Sequence, residues 1–183
     1  MDAIILLTGL MEDSENDKSG IAKAGEDLFD FAADREDVKI LMSSLPEEAD
    51  IKRETVEYEL QILKFISTGW SITYLLENSP HKDDLAELYW KAVYNYSLSI
   101  SETTALMIGQ EIDYFQILRD RLEMYIAAMQ KKPDAPEPAV IMGPEFARTC
   151  GNAADVFTVM AGSRMFKATI GSVKEYLEKI EMV

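Results

Sequence analysis

Apolar side chains recur at intervals of three and four along almost the whole chain, the spacing that keeps them on one face of an α-helix. Strict apolar–polar alternation, the mark of a half-buried strand, is missing. So are the Asn-Gly and Asp-Gly pairs that close tight hairpins. Only 9 Gly and 6 Pro punctuate the 183 residues. The pattern predicts an all-α protein: a helical bundle of about six to eight helices around a buried central helix (50–77), with a long antiparallel hairpin and a C-terminal helix pair.

Residues 2–11 read as a short apolar helix with Asp2 as its N-cap, and 12–20 as a polar loop. The next helix carries Leu28, Phe29 and Phe31 on its apolar side. A short one over 35–43 brings Val38, Leu41 and Met42, and Ser43-Ser44-Leu45-Pro46 ends it, because proline disfavours helix in the residue before it. Over 50–77, Val56, Leu60, Leu63, Trp70 and Tyr74 form one stripe, and Tyr58, Ile62, Phe65, Ile66, Ile72 and Leu76 another. A helix apolar on two sides is a buried one. Thr68-Gly69 offers a spot where another backbone can approach.

Asn78-Ser79-Pro80 stops that helix. Ser79 reads as the next N-cap, Pro80 as the first helical residue, and Asp83 and Asp84 fall in the positive first turn. Leu85, Leu88, Tyr89, Ala92, Val93 and Tyr96 share a face. Residues 97–101 (Ser-Leu-Ser-Ile-Ser) make a poor helix interior, and Ser99-x-x-Glu102 fits a capping box, so a kink or restart is expected there. Ile108, Ile112, Phe115, Leu122, Ile126 and Met129 then hold a heptad-like register, interrupted by Arg119. Phe146, Cys150, Ala153, Phe157 and Met160 form one run, and Phe166, Ile170, Val173, Leu177 and Ile180 a second. The phase slips between them, which predicts two helices or a sharp kink at Gly162-Ser163. The chain thus divides into an acidic N-terminal helical arm (1–50), a long-helix core (51–130), a Pro-rich linker (131–143) and C-terminal helices (144–183), opened by Pro144 and packed on the core as one domain.

Charge changes the picture. The chain carries 18 Lys+Arg against 33 Asp+Glu, a net charge of −15. Residues 1–50 hold 4 basic and 14 acidic side chains, so two thirds of the excess lies in the first quarter. This balance argues against a nucleic-acid partner, since phosphate contacts need clustered Lys and Arg. It serves solubility, or an acidic arm that docks on a basic protein. No apolar run reaches the ~18 residues of a membrane span. The first residues carry Asp2 where a secretory signal has positive charge, and a cytoplasmic setting is expected. One Cys and one His leave no internal disulfide and no ordinary zinc site or iron–sulfur cluster within one chain.

The signature loops and elbows of nucleotide-binding folds, hydrolases and zinc proteases are absent. Ser79-x-x-Lys82 matches the nucleophile motif of serine β-lactamases, but Ser79 is better used as a cap. Cys150 follows Arg148, which would lower a thiol pKa, yet it falls on the apolar stripe and reads as a buried structural residue. His81 reads as a solvated residue in a first helical turn. Glu54-x-x-Glu57 and Asp84-x-x-Glu87 superficially resemble half of the carboxylate pattern by which all-α nucleoside triphosphate pyrophosphohydrolases hold Mg²⁺. The turn near 78–79 sets those pairs ~20 Å apart at ~1.5 Å per residue, and brings Glu102 level with Glu54 and Glu57 instead. Glu54, Glu57 and Glu102 are therefore the candidate metal ligands, against the simpler reading of a solvated helix end. Tyr58, Trp70, Tyr74, Tyr89, Trp90, Tyr94 and Tyr96 either pack the core or line a ligand pocket.

The expected function is a non-catalytic helical interaction module of the adaptor, chaperone or inhibitor type, with no cofactor. Its partner is another protein, which a basic one would suit, and a homodimer is expected from the two apolar sides of the 50–77 helix. One alternative is the Mg²⁺-dependent nucleotide hydrolase. Another is a chaperone similar to the redox-enzyme maturation family, which is also acidic, cytoplasmic and all-helical. Of that family's Glu-Pro-x-Asp-His signature, this chain matches only Glu137-Pro138.

Overall fold

The computed structural model describes residues 19–47 and 52–183. Among them every regular element is a helix: α1 over 19–33, α2 (Glu36–Ser43), α3 (Arg53–Leu75), α4 (Lys82–Ile108), α5 (Tyr114–Gln130), α6 (Ala139–Thr149) and α7 (Val156–Lys179). The helix expected over 2–11 lies outside the described residues. Ser19 and Gly20, assigned to the polar loop, belong to α1.

α3 is the axis of the bundle and packs against α2, α4, α5, α6 and α7. Leu60, Leu63, Ile62, Phe65 and Ile72 are all fully buried, so the middle of both apolar stripes is covered by the same chain, while Tyr58 and Tyr74 towards the ends of α3 stay exposed. α3 and α4 form the antiparallel hairpin: Ile100 lies level with Tyr58, Tyr96 with Phe65, and Trp90 with Gly69. At Gly69 the close neighbour is the Trp90 indole rather than a backbone.

Three expected breaks lie elsewhere. α4 runs straight through residues 97–101, because the Ser97, Ser101 and Thr103 hydroxyls donate to the carbonyls of Val93, Ser97 and Ser99 and are satisfied by their own helix. The chain turns instead at Gly109, whose φ of 69° is the left-handed C-cap conformation, and Asp113 caps α5 by accepting from the Gln116 N–H at 2.9 Å. At the other end α4 opens at Lys82 with His81 in the cap position, and Ser79 Oγ only accepts from the His81 N–H at 3.4 Å. α6 begins at Ala139, within the stretch assigned to the linker, and Pro144 lies inside it. The break between the last two helices falls at 151–155, where Asp155 caps α7 by accepting from the N–H and hydroxyl of Thr158.

α7 is then continuous through Gly162-Ser163. Its buried line is Thr158, Ala161, Met165, Thr169, Val173 and Leu177, whereas Phe157 and Met160 are exposed. The phase slip arises from following the largest apolar residues; the packed face uses small ones because α6 lies close. A Cβ on Gly162 would fall 2.6 Å from the Phe146 ring.

Full burial also determines where charges pair. Glu59 on α3 accepts two hydrogen bonds from Nε of Arg121 on α5, at 3.0 and 3.3 Å, and one from Nη2 at 2.8 Å. The buried line of α5 therefore runs through Tyr114, Leu118, Arg121, Tyr125 and Ala128, one residue away from the expected Leu122, Ile126 and Met129. Lys64, fully buried, reaches Asp37 Oδ2 at 2.8 Å, donates to the Asp34 carbonyl at 3.0 Å and sits 4.3 Å from the Phe31 ring centre. Arg53 donates to the Met42 carbonyl at 2.6 Å, which also accepts from the Leu45 N–H at 3.3 Å, and so holds the end of α2.

Two stability outcomes follow from these contacts. Gly162→Ala should destabilise by about 1–3 kcal/mol because the fully buried Phe146 cannot yield. Gly171→Ala, with open space around it, should stabilise by about 0.5–1 kcal/mol; urea denaturation of the pair checks the opposite signs. Arg121→Met leaves the Glu59 carboxylate buried without its partner and should cost about 3 kcal/mol. The double variant Glu59→Met/Arg121→Met should recover more than half of that in the same measurement.

Candidate interaction surface

In the hairpin Ile100 is level with Tyr58, so Arg53, the first residue of α3, is level with about residue 105 of α4. The last turn of α4 therefore projects past the helix that covers the rest of it. That turn is Leu106-Met107-Ile108, and Leu106 is 88% exposed and Met107 80%. Beside it lies a groove of about 390 Å³ between α4 and the start of α5. Its α4 wall is Tyr94, Leu98, Ser101 and Ala105, successive residues of one helical stripe, and its opposite wall is Ile112 and Phe115. Tyr94 and Phe115 meet edge to face with ring centres 4.9 Å apart. Ser101 Oγ accepts from the Tyr114 N–H at 3.1 Å, which holds the α5 start against α4.

The charged residues lining this groove are Glu102, Glu111 and Asp113. Asp113 is engaged as a helix cap, while Glu102 and Glu111 are exposed, with no ion pair among the described residues. The nearest cations by helical spacing are Lys91, three residues before Tyr94, and Arg119, four after Phe115 and 3.8 Å from Glu123.

Glu54, Glu57 and Glu102 are not brought together. Glu54 and Glu57 line a different groove of about 280 Å³ with Arg35, Tyr58, Gln61, Tyr96, Ile100 and Tyr114. Glu57 is paired there with Arg35 at 2.5 Å. Glu102 is level with them but on the other side of α4: two residues beyond Ile100 is about 200° round the helix. Asp84 and Glu87 lie near Ile21 and Ala22 of α1. Among the described residues no group of three or more His, Cys, Asp or Glu is arranged to hold a metal ion. Nor is any helix among them long and apolar enough to cross a membrane.

The aromatic set divides. Tyr89 is fully buried, its hydroxyl donating to the Phe65 carbonyl at 2.7 Å. Trp70 stacks on Tyr74 at 4.6 Å and lies 5.5 Å from Phe166. Tyr94 forms the α4–α5 groove, and Tyr58 and Tyr96 the other. Sequence reading missed Leu106. Three consecutive large apolar residues directly before a helix-ending glycine were the available signal, since a helix cannot bury three successive positions on one face.

Cys150 closes α6 and is buried. Burial, and then the Glu59 carboxylate, push its thiol up to about 12, with Arg121 opposing. Alkylation of Cys150 by iodoacetamide at pH 8 should be at least ~100-fold slower than for a free thiol, whose pKa is ~8.5, and should reach the free rate in denaturant. Mass spectrometry of the modified fraction reads both rates.

Compared with protein-family models, curated proteins and solved structures, this chain matches none of them.

Proposed function

We propose that this chain is a non-catalytic helical protein-interaction module, of the adaptor, chaperone or inhibitor type, that docks another protein on the α4–α5 groove. The observation that carries this reading is the set of uncovered apolar side chains at this end of α4: Tyr94 and Leu98 line the groove with Ala105, Ile112 and Phe115, and Leu106, Met107 and Ile108 are exposed on the turn just beyond it. Single exposed apolar residues are ordinary on a soluble protein, but a contiguous group rimmed by polar ones marks a binding surface. The surface stands on a rigid base. All of α4 but its last turn packs along α3, and α5 is tied to α3 by the Glu59–Arg121 pair, so little ordering is lost on docking. The free buried thiol of Cys150 suits the cytoplasmic setting of the proposal.

Leu106→Asp/Met107→Asp is the direct test. Both side chains are solvent-facing, so the melting temperature should change by less than about 2 °C. Affinity capture with the wild-type chain should retain a protein that the double variant loses by at least tenfold, read by quantitative mass spectrometry. An identical captured set with both baits would sink the proposal.

A further inference from the structure

The groove specifies more than an apolar partner, and this step rests on the docking reading above. Tyr94, Leu98, Ser101 and Ala105 follow each other at spacings of four, three and four, so the floor is a straight stripe parallel to α4. From Tyr94 to Ala105 the stripe is about 16 Å long at ~1.5 Å per residue. The far wall, Ile112 and Phe115, is short and apolar. An open trough of this length matches one face of a helix of about three turns, whose residues at i, i+3 or i+4, and i+7 enter it.

Charge decides which helix. The charged residues lining the trough are all acidic: Glu102, Glu111 and Asp113. Glu102 and Glu111 make no ion pair among the described residues, while Lys91 and Arg119 stand outside the trough. A second copy of this chain would bring the same acids against each other on a molecule of net charge −15, and like charges facing across an interface oppose association. A basic helix places Lys or Arg beside those acids and its apolar stripe on Leu98, Ala105 and Phe115. We infer that the α4–α5 groove takes an amphipathic helix of about three turns with a basic polar face, presented by a partner protein.

The test uses the full chain and three synthetic helical peptides of about 16 residues. The first has a Leu stripe at i, i+3, i+4 and i+7 with Lys elsewhere, the second replaces Lys by Glu, and the third keeps the Lys and Leu content but scrambles the stripe. Fluorescence anisotropy at about 0.15 M salt should give binding of the first peptide at least tenfold tighter than of either control. Leu98→Asp should abolish it. Glu102→Gln/Glu111→Gln should weaken it at least fivefold and flatten its salt dependence, whereas Glu175→Gln/Glu178→Gln on α7 should leave it unchanged.

Equal binding of the scrambled peptide, or equal loss with the α7 pair, would mean bulk charge attraction and overturn the inference. Preference for the Glu peptide, still abolished by Leu98→Asp, would overturn the basic partner while leaving the docking groove standing. Binding of the basic peptide that Leu98→Asp does not touch would remove the groove as well. Sedimentation of the wild-type chain gives the remaining outcome: a dimer that Leu98→Asp dissociates and the first peptide cannot displace would assign the groove to a second copy and overturn the basic helix.

Discussion

A helix packed on every side has no solvated face on which to place its polar residues, and α3 is such a helix over 59–69. Glu59, Gln61, Lys64, Ser67, Thr68 and Ser71 are all buried with it. The Thr68 and Ser71 hydroxyls are satisfied cheaply by donating to the carbonyls four residues back, whereas the buried Ser67 hydroxyl has no partner among the described residues. A buried charge needs a partner from another element. Glu59 draws Arg121 inward and so sets the rotation of α5, and Lys64 draws Asp37 and the Asp34 carbonyl and so fixes the α1–α2 corner. Gln61 adds a third tie by donating to the Ala32 carbonyl at 2.7 Å. Pairs of this kind contribute little net stability beside an apolar core of the same shape, but a rotated or shifted α5 would strand Glu59 without a counter-charge.

That rotation matters for the surface. With Arg121 turned towards α3, the start of α5 presents Ile112 and Phe115 alongside α4, and the Ser101 hydroxyl receives the Tyr114 N–H. The groove is therefore a consequence of how the core neutralises Glu59. Its second cause is a difference of length: α4 has 27 residues and α3 has 23, and the surplus turn of α4 emerges with Leu106, Met107 and Ile108 uncovered.

The helical class, the buried 53–75 helix and the placing of Asp83 and Asp84 in the first turn of α4 were legible because each depends on residues close in sequence. Two of the misplaced breaks share one cause. Serines at 97–101 and small residues at 161–163 look like weak helix, but weak local preference is overridden once a helix is clamped between neighbours. The strong local signals, a left-handed glycine at 109 and aspartate caps at 113 and 155, are where the chain does turn. Glu102 illustrates the same limit. Hairpin arithmetic put it at the right height beside Glu54 and Glu57, but height comes from counting residues, whereas the side of the helix depends on how α4 is rotated by packing.

Sequence alone determined that this chain would be a bundle of amphipathic rods with one rod buried, because helical periodicity is a property of neighbouring residues. Tertiary structure decided which acids are paired and which are free, and it exposed the end of α4. Those outcomes depend on which helix covers which, a question of distances across the bundle that spacing along the chain does not contain.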